Sequence, residues 1–492
     1  MDTSLAPLDA QLFGPPQARH LLARAGLGPD RQRARELVSL GPVTAAQALL
    51  DSPDTSSLPD APVDPDVRRP FTEEERQAYR RAIASDDPAI QRQAREARQS
   101  LDRMDRQMVP KLQDWWIERM LATPDPTREH MTLFWHGHFA TAHQPVRDTF
   151  LMYRQNDFFR RNALGSFATL ARYIVRDPAM IKYLNNHQNR KGEPNENLAR
   201  ELMELFTLGE GAYREQDIKE GARALTGFTY QDNDFNLNQR QHDDGNKTIL
   251  GRKGRFDGDD FVNILLAQQA CARYIALKLY RHLVADVSDR FDDLTPPIKS
   301  VVDQLARRLR RDNYDLKPTL QTLLASRHFH DPAIVGQKIK SPIQLVTGTA
   351  RALQTPNRST TQLRNGFRAM GQSVFDPPSV AGWPVGRAWI NTSTLFARQN
   401  TCVYLLTGKV PGRNWNRRNT NYEPMKLIAG MDPADTRTIA NTLIDDLLGH
   451  HLSDERRKPL VDFLTAENKP ANNDRLIGFL TLVTAMPEYQ LC

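Results

Sequence analysis

Cysteine is scarce: the 492 residues hold three, Cys271, Cys402 and Cys492. One is the last residue and the others stand alone, which excludes a disulfide framework and a cysteine-based zinc site. No window approaches the roughly 18 consecutive apolar residues of a membrane span. The opening stretch lacks the basic start and unbroken apolar run of a secretory signal, so the chain as written reads as cytoplasmic. A strong excess of one charge is missing too. Lys and Arg total 66 against 59 Asp and Glu, a net +7. The two signs are interspersed, so the total does not point to nucleic acid. There is no P-loop, dinucleotide fingerprint, HExxH or GxSxG, which disfavours nucleotide-dependent, zincin and α/β-hydrolase chemistry.

What is present, 39% hydrophobic and 25% charged residues, is the composition of a globular protein with room for roughly two to four compact units. Apolar spacing predicts short helices in residues 1–50. A Pro-, Asp- and Ser-rich break from Ser52 to Pro70 follows, then a capping box at Thr72–Glu75 and a charged helix or helical pair. Leu112, Trp115, Trp116, Met120 and Leu121 mark a core helix. Between 126 and 353 the periodicity predicts nine helices, including 126–137, 195–208 and 259–283. A β-hairpin is expected where 235–241 and 247–250 flank the turn Asp243-Asp244-Gly245-Asn246. Residues 375–391 hold three prolines, two glycines and two tryptophans, a long loop packed onto something. The fold expected is mainly α, a large multi-helix body with one short hairpin and long irregular loops. It divides into an N-terminal helical subdomain (1–109), a central body carrying the site (110–410) and a C-terminal cap (411–492).

Four places carry possible chemistry. His136 and His138, near His130 and His143, put four of the twelve histidines in a short stretch, and imidazole is the commonest transition-metal ligand. On an α-helix the first two point about 200° apart and cannot share an ion. Gly137 is a natural helix terminator and would let them converge. The competing reading is hydrogen-bonded histidines in an aromatic core. Second, Asn195 to Gly209 reads as an amphipathic helix, with Glu196, Arg200 and Glu204 forming a ladder. Glu201 and Glu204 sit near its apolar edge, where a carboxylate is paired with arginine or bound to a cation. Third, His242 joins a site if the hairpin folds toward the histidines. Asp243 and Asp244 are poor matches to a calcium loop and read as a polar turn. Fourth, Trp383 and Trp389, with Arg387 and Asn391, make either a platform for a sugar or peptide or two core plugs.

Together, Leu133–Phe139, Glu196–Gly209, Gly221–Phe228, His242–Gly251, Lys338–Pro342 and Pro377–Pro384 resemble the bacterial domain-of-unknown-function family numbered 1800. The likeness runs from about residue 15 to 485. It implies a large, mostly helical protein, a periplasmic or secreted location, and a neighbour-encoded partner of the family numbered 1501. No catalytic residue carries over from it.

Three functions fit these residues. The first is a metal-dependent hydrolase or lyase acting on a polysaccharide or peptide polymer. In it a divalent ion sits on His136, His138 and Glu201, Glu204 and His242 act as catalytic groups, and the tryptophan loop binds substrate. The second is a binding or assembly protein with a buried His/Glu network. The third is an iron or copper oxidoreductase.

Overall fold

The computed structural model describes residues 1–51, 61–62, 73–124, 126–231, 233–410, 421–449, 451–466 and 469–492. Most of the Ser52–Pro70 break, Thr72 and the side chains of the capping box lie outside the described residues. The chain is mainly α, with two small two-stranded antiparallel sheets among the described residues.

Helix ends follow the sequence signals closely. Asp30, Asp148, Asp177 and Ser341 each cap a helix by accepting a backbone N–H, which satisfies a donor the helix leaves open. The second and third N-terminal segments form one run, Arg31–Leu50, broken where Gly41 takes φ 72° before Pro42. The stretch expected as 259–283 is two helices, Gly258–Leu266 and Gln269–Leu283, separated where Gln268 is extended (ψ 139°).

The hairpin differs from its sequence reading. Residues 235–241 and 247–250 do not pair with each other. Instead β1 (Phe228–Gln231) pairs with β2 (Asp234–Leu237), and β3 (Lys247–Ile249) with β4 (Arg252–Gly254). Positive φ, the mark of a tight hairpin turn, occurs at Asn233 (68°), Leu250 (47°) and Gly251 (80°). Gly245 is not among the positive-φ glycines. Its turn is held by side chains: Asp243 pairs with Arg223 at 2.8 Å and accepts from the Gly245 N–H, and Asp244 pairs with Lys191 at 3.1 Å.

One apolar core joins Leu21, Leu37 and Leu49 of the N-terminal helices to Trp135, Phe139, Phe206 and Leu279. A second holds Leu443, Leu476 and Phe479. A third packs Trp115 and Trp116 against Ile343, Phe367 and Phe375. The helix Pro126–His138 stands where the first and third meet. A buried ionic knot braces it. Glu129 lies 2.6 Å from Arg119 and 2.7 Å from Arg160, and the Trp116 indole N–H donates to it at 2.9 Å. Burial pushes the Glu129 carboxyl up, but Arg160 and Arg119 outweigh it and the group lies below its ordinary value.

Candidate functional site

The helix Pro126–His138 does not stop at Gly137; it runs through to His138. That glycine has a packing role. A Cβ on Gly382 (φ 86°) would stand 2.2 Å from the Gly137 carbonyl oxygen, and the Trp383 ring covers Gly137. The tryptophan loop therefore lies directly on the helix backbone. Gly382→Ala is expected to cost roughly 1–3 kcal/mol and to shift tryptophan emission to the red. An unchanged melting temperature and spectrum would show that the loop tolerates the contact.

Because the helix continues, His136 and His138 face different surroundings. His136 is fully buried among Trp116, Phe375 and Trp383, at 5.3–5.5 Å between ring centroids. Neither of its nitrogens has a hydrogen-bond partner among the described residues, and burial followed by the charge of Arg160 drives its pKa down to about 3. His138 shares a 3.0 Å hydrogen bond with the Phe206 carbonyl through Nε2. The carbonyl can only accept, so Nε2 carries the proton and Nδ1 presents a lone pair. Nδ1 has no partner, and burial followed by Lys278 lowers this histidine's pKa to about 3.

The Phe206 carbonyl is available because the second motif is not one regular helix. Asn197–Glu201 is α-helical, and Leu202–Thr207 winds as a π-helix. The Leu208 N–H reaches back five residues to Met203 at 2.8 Å. Leu205 and Phe206 fall among the last carbonyls, which a helix leaves unsatisfied. The Tyr274 hydroxyl donates to the first at 2.8 Å and His138 to the second. A π-turn also alters which side chains share a face. Arg200 pairs with Glu196 and Glu215, whereas Glu204 accepts from the Tyr213 hydroxyl at 2.8 Å. Burial, then Glu204, raises the Glu201 pKa.

A cavity of about 130 Å³ lies beneath the tryptophan loop, bounded by His130, His138, Lys278, Arg281, His282 and Lys338 on the body side and by Trp383 and Trp389 on the loop side. Among the described residues no Asp or Glu lines it. It adjoins a wider groove of about 820 Å³, to which Glu204 contributes and with which it shares Lys278, Arg281 and Trp383. Three residues that line the cavity each carry a buried polar atom without a partner among the described residues: His138 Nδ1, His282 Nε2 and Trp383 Nε1. Buried polar groups are normally satisfied, so the cavity suits a polar guest.

The cations differ in how they are matched. Lys338 pairs with Asp286 at 2.7 Å and donates to the Arg281 carbonyl. Arg281 lies 3.6 Å from Asp289. Lys278 has no carboxylate within ion-pair distance among the described residues. Its Nζ stands 5.2 Å from the centre of the Tyr274 ring. Burial, then Arg281, lowers its pKa to about 8 against the pull of Asp289. His130 stacks on His282 at 4.3 Å, shares a 3.2 Å bond with the Ala25 carbonyl and faces the Gln344 amide at 3.1 Å. Burial lowers its pKa to about 4.

The sequence candidates are thus dispersed. His138, Trp383 and Trp389 line the cavity, and Glu204 lines the groove. His136 is sealed in its aromatic box. His143 is tied to Asp105 at 3.0 Å. His242 bonds the Thr226 carbonyl at 2.8 Å and lines neither space. Asn391 caps the helix Thr392–Thr407 by accepting from the Thr394 N–H, and Arg387 is exposed. Among the described residues no three His, Cys, Asp or Glu side chains form a group able to hold a metal ion. Sequence reasoning missed Lys278, Arg281 and His282. They recur at i, i+3 and i+4 on one face of Gln269–Leu283, a spacing that also fits an ordinary solvated stripe.

The family described as "Protein of unknown function (DUF1800)" has a model that matches residues 20–491. The chain belongs to this family. Comparison with curated proteins and with solved structures gave no match. Of the six motifs that carry the resemblance, three meet at the cavity: the histidine helix, the Lys338–Pro342 segment and the tryptophan loop. A fourth, Glu196–Gly209, is tied to it through the Phe206 carbonyl. In this member of the family, the common meeting place of those motifs is the histidine- and lysine-lined cavity.

Among the described residues no helix is long and apolar enough to cross a membrane.

Proposed function

We propose that this protein is an enzyme that holds a small anionic group in the cavity beneath the tryptophan loop and moves a proton with His138. One coincidence supports the reading. A space lined by Lys278, Arg281 and Lys338 and by no described carboxylate also holds a neutral imidazole whose Nδ1 is unpartnered. A cation-lined site favours negative charge, including charge that develops on a reacting oxygen. A neutral imidazole with one nitrogen fixed on a carbonyl keeps a lone pair on the other, and an anion bound beside it raises its low pKa toward the range in which it accepts a proton. The volume suits a fragment of a few heavy atoms, since a cavity of about 150 Å³ takes a benzene ring. The adjoining groove leaves room for the rest of a larger substrate, including a polymer bearing the anionic group.

A divalent ion is a second reading, supported by the same Nδ1. Metal-bound imidazoles commonly fix their other nitrogen on a backbone carbonyl.

Calorimetric titration with inorganic phosphate and with pyruvate tests the first reading. Saturable binding to one site is expected, weakened about ten- to a hundredfold by Arg281→Met, the loss of one charged hydrogen bond, and little changed by His138→Gln. Absence of binding by either anion would sink the reading. Elemental analysis of the same preparations tests the second. Stoichiometric metal lost in His138→Gln would replace proton transfer by metal ligation.

A further inference from the structure

We propose that Lys278 is an amine nucleophile that captures the carbonyl carbon of an anionic aldehyde or ketone. This rests on the cavity being an anion site and adds the substrate class. Three features of the geometry carry it. Lys278 lines both the cavity and the groove, so it stands between the anion site and the larger space. It is the cavity cation without a carboxylate partner among the described residues, while Lys338 is held by Asp286 and Arg281 has Asp289 nearby. It is flanked by the Tyr274 ring and by Arg281, three residues on along its helix. An apolar face and a second cation are what make a lysine amine nucleophilic near neutral pH. Lys338 and Arg281 supply the charge to hold a carboxylate or phosphate, and His138 lines the same wall with its Nδ1 unpartnered.

The step balances without oxidant or reductant. The Lys278 amine, having given a proton to solvent, forms an N–C bond through the Nζ lone pair as the carbonyl π pair moves to oxygen. Solvent returns that proton to the oxygen, giving a neutral carbinolamine once nitrogen has lost a second proton to solvent. The C–O bond then breaks, the oxygen leaves as water with that second proton returned, and nitrogen and carbon share a double bond. In sum, one ammonium and one carbonyl become one iminium and one water.

The full chain is incubated with pyruvate, reduced with borohydride, digested, and mapped by mass spectrometry. A single reduced pyruvate adduct is expected on the peptide containing Lys278, at least about tenfold above any surface lysine. At pH 7 an amine with a pKa near 8 has a neutral fraction roughly two-hundredfold larger than an ordinary lysine. Inorganic phosphate should suppress the adduct, a readout that needs no variant, and Lys278→Met should abolish it. Adducts spread over surface lysines, or unaffected by phosphate, would overturn the proposal. Saturable pyruvate binding without an adduct would overturn it while leaving the anion site standing. Failure of both anions to bind would overturn the two together.

Discussion

Between pH 6 and pH 4.5 the protein should lose stability steeply, by at least about 2.7 kcal/mol per pH unit. Buried His130, His136 and His138 titrate in the folded state at about 4, 3 and 3, whereas in the unfolded chain they titrate near 6.5. In this window the unfolded chain therefore binds more protons, and stability falls as pH falls. Each histidine contributes a slope of about 1.4 kcal/mol per pH unit. Asp177 acts in the opposite sense. Burial raises its carboxyl to about 6 despite hydrogen bonds from Met180 and Gln155, so the folded state takes up its proton first. It cancels one of the three and leaves a net two from these four groups, to which His20, His282 and His330, also driven down by burial, add in the same sense. Over one and a half pH units the four groups alone amount to about 4 kcal/mol, a large part of a typical 5–15 kcal/mol. Urea titrations at successive pH values measure the slope. His136→Leu separates the cause: its two unpartnered nitrogens make the substitution close to neutral at pH 7, and the slope should drop by about 1.4 kcal/mol per unit. A midpoint that stays flat from pH 7 to 4.5 would show that these histidines do not titrate as buried groups.

Glu129→Gln should destabilise the protein by about 3–5 kcal/mol at pH 7, the usual result of removing one partner from a buried ion pair. The glutamine can still accept from the Trp116 indole, but Arg119 and Arg160 lose their shared charge. Their side chains are 12% and 3% exposed, so little water replaces it. Arg160 also lies over the Trp115 ring at 5.0 Å, so its displacement would disturb the aromatic layer behind His136. Replacing Glu129, Arg119 and Arg160 together by methionine should recover most of the loss, because an all-apolar replacement removes the stranded charges. The pH dependence has a definite sign. The folded Glu129 pKa is depressed, so its contribution is present above the unfolded value, about 4.3, and is lost as pH falls through the folded one. This acid phase lies below the histidine phase and should vanish in Glu129→Gln. A loss under about 1 kcal/mol in guanidinium melts, the range of an exposed pair, would mean that the knot is solvated.

The case of Gly137 shows how a local signal is outvoted. Glycine after a run of helix formers reads as a stop, since it supplies the conformation that ends helices. Here the helix continues, and the missing Cβ serves the approach of Gly382 and Trp383. The ladder Glu196–Arg200–Glu204 keeps its first rung and loses its second for a related reason. It assumes 3.6 residues per turn, and the π-turn at Leu202–Thr207 sends Glu204 to Tyr213.

Sequence by itself determined the mainly helical class, most helix boundaries and the packing of the tryptophan loop. These follow from hydrophobic period, caps and breakers, which act over a few residues and are written locally. Only the tertiary structure decided that His136 and His138 face apart, that Lys278, Arg281 and Lys338 gather opposite the tryptophans, and that Lys278 lacks the carboxylate its neighbours have. Those outcomes depend on which distant segments a fold brings together, and a charge has no definite partner until the chain around it has closed.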